Sequence, residues 1–387
     1  MKIGIVLSKP PTYSETFFNS KIKGLQNNGF EVVLFVQKND SSFTLSKTKS
    51  APKVYSKNII FQLFYFVLTA FKLLCFPKRV STFVKLERQA NRSWKQVFKN
   101  LYNNAHILTT KLDWVHFGFA TMALQSENVA KAIRAKMAVS LRGFDIDVFP
   151  LSNKNAYGLL WQHVDKVHSI SNYLLNKAHQ LGLPKDVASQ IITPALDISE
   201  FRSKKLKKSE PIEIVTVARL HWIKGLDYTL EALAEIKKKG VDFKYTIVGS
   251  GREYEALVFA IHELGLTDNV VLTGHVPHNE ILNYLSKARI YLQYSQSEGF
   301  CNATLEAQAL GLLCIVSDGG ALTENVIHEE SGWVVTKRNS AALANKIMEV
   351  IHLSETEKQK VSQQAQSRIQ EFFSLKQQEQ QFVAFYE

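Results

Sequence analysis

Ser297-Glu298-Gly299-Phe300-Cys301-Asn302-Ala303-Thr304-Leu305-Glu306 carries two glutamates with seven residues between them, entered through a Gly turn. The apolar run before it, Ala288-Arg289-Ile290-Tyr291-Leu292-Gln293-Tyr294, reads as a short buried strand. Ala303 to Gly311 is rich in helix formers, so a helix is predicted to start near Asn302. A strand, a Gly turn and a helix in succession leave free N–H groups at the helix N-terminus, which suits a phosphate or a sugar hydroxyl. Glu298 falls in the loop before that helix and Glu306 about one turn inside it. The two carboxylates are therefore placed to reach one polyhydroxylated ligand from two directions. For this pair alone, one loop glutamate and one helix glutamate in water is the plain alternative.

Two upstream segments add cations and a second Gly turn. Ile214-Val215-Thr216-Val217-Ala218-Arg219-Leu220-His221-Trp222-Ile223-Lys224-Gly225 reads as a strand, a loop with two cations, and then a helix over Asp227–Lys239. Tyr245-Thr246-Ile247-Val248-Gly249-Ser250-Gly251 is another strand ending in a Gly-rich turn. Arg219 and Lys224 are the residue types wanted where a diphosphate leaving group gains charge. They fall at the C-terminal ends of successive strands, the edge where parallel α/β sheets bind ligands. Gly249-Ser250-Gly251 is not a dinucleotide fingerprint, because no third glycine follows at the right place.

Together these segments resemble the retaining glycosyltransferases of the GT-B fold, in the group marked by Glu-x7-Glu. That group is glycosyltransferase family 4-like, the glycosyl transferases group 1, and the likeness leans toward exopolysaccharide and colanic-acid transferases. The resemblance is most specific from Ile214 to Val335, adding Gly274 with Val276-Pro277 and Asp318-Gly319-Gly320 with Glu324-Asn325-Val326. It implies an α/β fold of two Rossmann-like parallel-sheet domains facing each other across a cleft. It also implies that Arg219 and Lys224 hold the donor diphosphate, Glu298 contacts the donor sugar and Glu306 hydrogen-bonds the ribose. Arg219, Lys224 and Glu298 are thus the expected catalytic set. Gly249, Gly251, Gly299, Phe300, Cys301, Asn302 and Glu306 are the expected donor-binding set.

The organisation along the chain agrees with two domains. Strand-like runs at Ile3–Leu7, Val32–Val36, Trp114–Phe117, Ala138–Leu141 and Lys166–Ile170 alternate with helical stretches. The polar segment around Arg202-Ser203-Lys204-Lys205-Leu206-Lys207-Lys208 is read as a linker at 201–211, between an acceptor-binding domain at 1–200 and a nucleotide-sugar-binding domain at 212–370. A final helix at 371–387 is expected to pack back on the first domain, with Phe372, Phe373, Phe382 and Phe385 as anchors.

Charge is unevenly spread. Residues 1–203 carry 27 basic against 12 acidic side chains, and 204–387 carry 20 against 23. Residues 41–112 hold 13 basic side chains and one acid, Glu87. Inside that basic region lies the apolar run Ile59 to Phe76, ended by Pro77-Lys78-Arg79, with a basic helix predicted over Ser81–Lys99. An apolar helix flanked by Lys and Arg suits an anionic membrane surface, or a groove for a lipid-bearing acceptor. A core helix with basic neighbours and a true membrane span are the two alternatives. No RNA- or DNA-binding motif accompanies the charge, so nucleic acid is not expected as a partner. Three cysteines (Cys75, Cys301, Cys314) without zinc spacing favour free thiols in a reducing compartment. The chain opens directly on the strand Lys2–Leu7 with no secretory leader pattern, so the expectation is cytoplasmic, peripheral on the inner face of the membrane.

In the N-terminal half the match is looser. Asp113-Trp114-Val115-His116-Phe117-Gly118 places His116 at a strand end and, by expectation, at the cleft. Ser140-Leu141-Arg142-Gly143-Phe144-Asp145 has Arg142 where many relatives have a His often called catalytic. Arginine cannot act as a base at neutral pH but stabilises negative charge, so Arg142 is read as a partner of the phosphate or sugar. Pro10-Pro11-Thr12-Tyr13-Ser14-Glu15-Thr16 replaces the usual Gly-rich loop, with Ser14 a fair N-cap. The expected acceptor-side residues are Ser14, Glu15, Thr16, His116, Arg142, Gly143 and Asp145. Asp145-Ile146-Asp147 has the Asp-x-Asp spacing that another glycosyltransferase fold uses for Mn²⁺, but it lies in the wrong half. Asp145 is therefore read as a cleft residue and Asp147 as structural, and no metal or other cofactor is expected.

The reading is hexosyl transfer from a nucleotide-diphosphate sugar to a saccharide acceptor, with retention and with a lipid-linked acceptor favoured, in cell-surface polysaccharide synthesis. The alternatives are a nucleotide-sugar epimerase of the same fold and a catalytically inactive scaffold at the membrane surface.

Overall fold

A computed structural model describes residues 1–11, 16–38, 43–55, 58–201 and 211–387. Two expectations fall outside these residues: the linker from 202 to 210, and Ser14 with Glu15. Thr16 opens the first helix, Thr16–Asn27 (α1).

Among the described residues thirteen strands form two sheets. The first comprises β1 (Lys2–Leu7), β2 (Glu31–Val36), β3 (Lys47–Ser50), β4 (Trp114–Phe117), β5 (Lys136–Leu141), β6 (Lys166–Ser169) and β7 (Ala188–Ile191), in spatial order 3-2-1-4-5-6-7. The second comprises β8 (Ile212–Val217), β9 (Phe243–Val248), β10 (Val270–Leu272), β11 (Ile290–Gln293), β12 (Leu313–Ser317) and β13 (Trp333–Val335), in order 10-9-8-11-12-13. Every named pairing is parallel. The two orders share one scheme, in which the chain winds outward from a central strand and then reverses. The reversal falls between β1 and β4 in the first sheet and between β8 and β11 in the second. Ligands of open α/β sheets sit at that point, beyond the carboxyl ends of the strands. Near-continuous apolar strands such as Glu31-Val32-Val33-Leu34-Phe35-Val36, buried from Val32 onward, are what a sheet covered on both faces requires.

The chain divides into two compact units, one of residues 1–170, 174–192 and 378–387, the other of 171–173 and 193–377. The helix Leu375–Tyr386 closes the first unit's core with Phe382, Phe385 and Tyr386. Phe373 is buried instead in the second unit, its ring 5.9 Å from that of Phe300. Phe372, at the end of the Glu355–Phe372 helix, is 58% exposed and anchors no core. Phe385→Ala is expected to destabilise the first unit by about 3–5 kcal/mol, the usual cost of deleting a buried ring. The shift of the urea midpoint measures it.

The segment Ile59–Asn103 corrects one reading and goes against one alternative. The helix expected over Ser81–Lys99 is two helices, Pro77–Gln89 (α3) and Trp94–Asn103 (α4). Asn91 turns left-handed between them, and Ser93 caps α4 by accepting from the Gln96 amide. Before them runs Ile59–Leu74 (α2), which ends just ahead of Pro77. It is not a core helix: only Thr69 and Leu73 are buried along it, while Ile59 is 83% and Phe71 65% exposed. No single helix among the described residues is long and apolar enough to cross a membrane, and α2 and α3 meet at a bend of 111°.

Candidate functional site

The loops after β8, β9 and β11 build the site in the second unit. After β8 the chain enters a short turn at Trp222–Lys224, and Gly225 (φ 59°) lets it swing into the helix Leu226–Lys238. A side chain at Gly225 would strike the Tyr294 carbonyl, because the two loops approach that closely. Leu220 N–H donates to the Ser250 carbonyl at 3.0 Å, and Gly249 N–H to Gly274 at 3.1 Å. Gly249 and Gly251 are therefore the seams along which the loop after β9 packs against Ala218 and Leu220.

Lys224 and Glu298 form an ion pair at the centre, with both side chains mostly buried. Three more polar side chains converge there. Ser295 Oγ donates to Glu298 Oε1 at 3.0 Å, and Gln293 Nε2 lies 3.3 Å from the same oxygen. Tyr291 in turn donates to Gln293 Oε1 at 2.6 Å. Burial presses the Lys224 ammonium toward neutrality, but the Glu298 carboxylate more than offsets this, and the lysine stays above its ordinary pKa. Lys224 is thus a fixed cation. Arg219 is exposed, and its charge reaches both Lys224 and His221. Within the described residues it makes no ion pair, which leaves its guanidinium available to an anion.

The Glu298 backbone is gripped as well: its amide donates to the Gly319 carbonyl at 3.2 Å, and its carbonyl accepts from Ala321 N–H at 2.8 Å. Gly320 (φ 70°) lies flat against it. Gly299, Phe300 and Cys301 follow as buried residues. Asn325 clasps Cys301 from both sides, accepting its N–H at 3.0 Å and donating to its C=O at 3.1 Å. The helix Asn302–Ala309 then begins with no side-chain cap, so its first amides are not taken by its own N-cap residue. Asn302 is exposed at that end. Glu306 is buried one turn in, with His278 Nε2 4.0 Å from its Oε1. Burial, then the Glu298 charge, push the Cys301 thiol up, which makes it a packing residue and a poor nucleophile.

Two acceptor-side readings are corrected. His116 is fully buried rather than at a cleft: β4 lies inside the sheet, and the Leu375–Tyr386 helix covers it. The Tyr386 hydroxyl is 2.6 Å from His116 Nδ1, and Ser140 Oγ is 2.8 Å from Nε2. Asp145 is fully buried too, accepting from the backbone amides of Ala120, Arg142 and Gly143 at 2.9–3.1 Å. Its carboxylate holds a turn together. Burial raises its pKa although these amides pull the other way. Asp147 pairs with Lys177 at 2.5 Å. Among the described residues no group of three or more His, Cys, Asp or Glu is arranged to hold a metal. Arg142 is half-buried, its guanidinium 4.1, 4.7 and 5.7 Å from the rings of Phe17, Phe18 and Phe119.

The sequence reading missed Lys21, which is buried beside His116 with its Nζ 3.2 and 3.3 Å from the two ring nitrogens. Ser140 links His116 to His168, and His168 reaches the Ile192 carbonyl at 2.9 Å. Burial, then the Arg142 charge, hold the Lys21 pKa well below the ordinary value. The unfolded chain therefore binds a proton that the native state does not. Stability should rise with pH from the lowered native pKa up to the unfolded value of about 10.4. Lys21→Met should flatten that rise, as read from melting temperature against pH for both proteins. Parallel curves would contradict the assignment.

Residues 197–368 match the family described as glycosyl transferases group 1. The chain is 26% identical over 392 residues to the putative colanic acid biosynthesis glycosyltransferase WcaL of Escherichia coli (strain K12), covering 97% of this chain and 96% of that one. It is 31% identical over 240 residues to the amylovoran biosynthesis glycosyltransferase AmsK of Erwinia amylovora, covering 59% and 58%. Among solved structures, Anabaena Alr3699/HepE in complex with UDP and glucose superposes with a TM-score of 0.73 at 16% identity, over 99% of this chain and 98% of that one. Sucrose-phosphate synthase from Thermosynechococcus elongatus gives 0.72 at 16% identity, over 100% and 98%.

Proposed function

Because the chain belongs to the GT-B glycosyltransferases of group 1, related to the colanic-acid and exopolysaccharide transferases, we propose that it moves a hexosyl group with retention onto a lipid-linked saccharide. It transfers a sugar from a nucleotide-diphosphate donor in bacterial polysaccharide synthesis. The observation that carries the site assignment is the buried Lys224–Glu298 pair at the strand-order reversal, beside an uncapped helix N-terminus. A cation there stabilises the diphosphate as the bond to the sugar breaks, and Arg219 adds a second positive charge at the rim. Glu298 serves two purposes, holding Lys224 charged and offering its carboxylate to sugar hydroxyls. Glu306 and the amides after Gly299 complete the donor site. Cations in place of a divalent metal make the reaction metal-independent.

The acceptor's lipid and the location rest on the first unit. The exposed apolar face of α2, with Lys72, Lys78, Lys85, Lys95 and Lys99 exposed around it, fits the inner, anionic leaflet of a cell membrane. The stereochemistry is tested by proton NMR of the product. An α-linked product from an α-linked donor is expected, and a β-linked product would overturn the retaining mechanism.

A further inference from the structure

Apart from the donor site, the first unit holds a cavity of about 750 Å³ at the carboxyl ends of β1, β2 and β3, where Leu7, Val36 and Ser50 line it. That is the ligand edge of an open α/β sheet, and the volume falls within the range of small-molecule sites. The walls are fixed by the chain itself. Ala51 N–H donates to the Val36 carbonyl at 2.8 Å, and the Tyr102 hydroxyl donates to the Lys53 carbonyl at 2.6 Å. On another wall Gln125 is left-handed (φ 66°), and Ser126 Oγ donates to Asn104 Oδ1 at 2.8 Å. A non-glycine residue keeps such a backbone only where its surroundings impose it.

The lining chemistry selects the ligand. Tyr55, stacked on Tyr65 at 5.2 Å, gives an aromatic wall suited to the C–H face of a sugar ring. Gln37, Asn103 and Gln125 bring side-chain amides, each both donor and acceptor for hydroxyls. Carboxylates also serve neutral sugars well, as acceptors for hydroxyls, but the described lining residues include no Asp or Glu. They include instead two lysines, Lys38 and Lys53, both exposed and in no ion pair within the described residues. Burial, then the Lys49 charge, hold the His106 pKa down to about 4, so its imidazole is neutral and the two lysines alone charge the lining. The arginine fork that grips phosphate in two places is missing from the same residues. An aromatic ring, amides and two point cations without an anion fit a sugar that bears a single carboxylate.

We infer that this pocket seats a hexuronate, the acidic sugar at the end of the saccharide acceptor, with Lys38 and Lys53 on its carboxylate. The inference names the acceptor's chemical class and rests on the saccharide-acceptor reading above.

The probes are the methyl glycosides of glucuronate, galacturonate and mannuronate, each beside its neutral hexose counterpart. Binding to the full-length protein is read by saturation-transfer difference NMR. At least one uronate is expected to bind about tenfold or more tightly than its neutral partner, the effect of one charge-assisted hydrogen bond. Lys38→Met combined with Lys53→Met should remove that preference. Both lysines are exposed, so the circular dichroism spectrum should not change. Methyl phosphate at the same concentration should displace little of the uronate. Displacement of most of it would assign the lysines to a phosphate and overturn the inference. Equal binding of uronate and neutral sugar, or a preference that survives loss of both lysines, overturns it too but leaves a saccharide acceptor standing. Binding by none of these sugars overturns the pocket, whereas transfer to a saccharide is judged separately, from the product.

Discussion

Lys224→Ala is expected to lower turnover with the nucleotide-sugar donor by about 10²–10³-fold, the range seen when one preorganised charge-stabilising donor is removed from a reacting centre. The expectation follows from how the lysine is held. Its ammonium is buried, paired with Glu298 and kept above its ordinary pKa, so it meets the donor as a full charge in a poorly solvated place. A diphosphate that gains negative charge during bond breaking interacts more strongly with that cation in the transition state than in the ground state. Removing it should therefore reduce kcat more than it raises KM. The fold should survive, because the loss also leaves Glu298 with donors from Ser295 and Gln293. Steady-state kinetics with a circular dichroism control decide the matter, and near-wild-type turnover would remove Lys224 from the mechanism.

Glu298→Gln is the second large effect, expected at about 10²-fold in kcat, with a pH signature of its own. Glutamine keeps the shape but removes the charge that offsets the burial of Lys224. With burial unopposed, the lysine pKa should drop below its ordinary value of about 10.4. The remaining activity should then fall as pH rises through that lowered value, since the cation is lost on deprotonation. The wild-type lysine, held above the ordinary value, should show no such decline between about pH 7 and 9.5. A kcat profile against pH for the two proteins measures this. Identical profiles would mean that Glu298 acts on the sugar alone and does not set the charge of its neighbour.

The legible parts of this protein are those whose signals are local. The strand ending at Gln293, the turn at Gly299 and the helix from Asn302 lie within twenty residues, and the structure places them as the sequence predicts. The apolar run Ile59 to Phe76 reads as a helix, which the structure forms over Ile59–Leu74, though the sequence alone leaves its environment open. What stayed hidden depends on partners far apart in sequence. His116 looked like a strand-end histidine because its contacts, Lys21, Ser140 and Tyr386, lie 95, 24 and 270 positions away. The short edge strands β3 and β7, Lys47-Thr48-Lys49-Ser50 and Ala188-Ser189-Gln190-Ile191, carry almost no apolar signal because edges need none. Asp145 reads from sequence as a cleft residue, because the backbone amides that saturate its carboxylate leave no side-chain signal. Gln293 and Ser295 are a signal that sequence reading passed over. Two polar side chains at the end of a buried strand have to face something polar, and here they face Glu298.

The most direct test of the donor site is a melting curve of the purified protein with uridine, guanosine and adenosine diphosphate sugars, in EDTA, alongside Lys224→Ala. A ligand at about a hundredfold its Kd adds roughly 2.7 kcal/mol to the stability of the state that binds it. One donor should therefore raise the wild-type melting temperature by several degrees, undiminished by EDTA, and raise that of Lys224→Ala by less. An equal rise in Lys224→Ala, a rise abolished by EDTA, or no rise with any donor would contradict a metal-independent sugar-nucleotide site built on the Lys224–Glu298 pair.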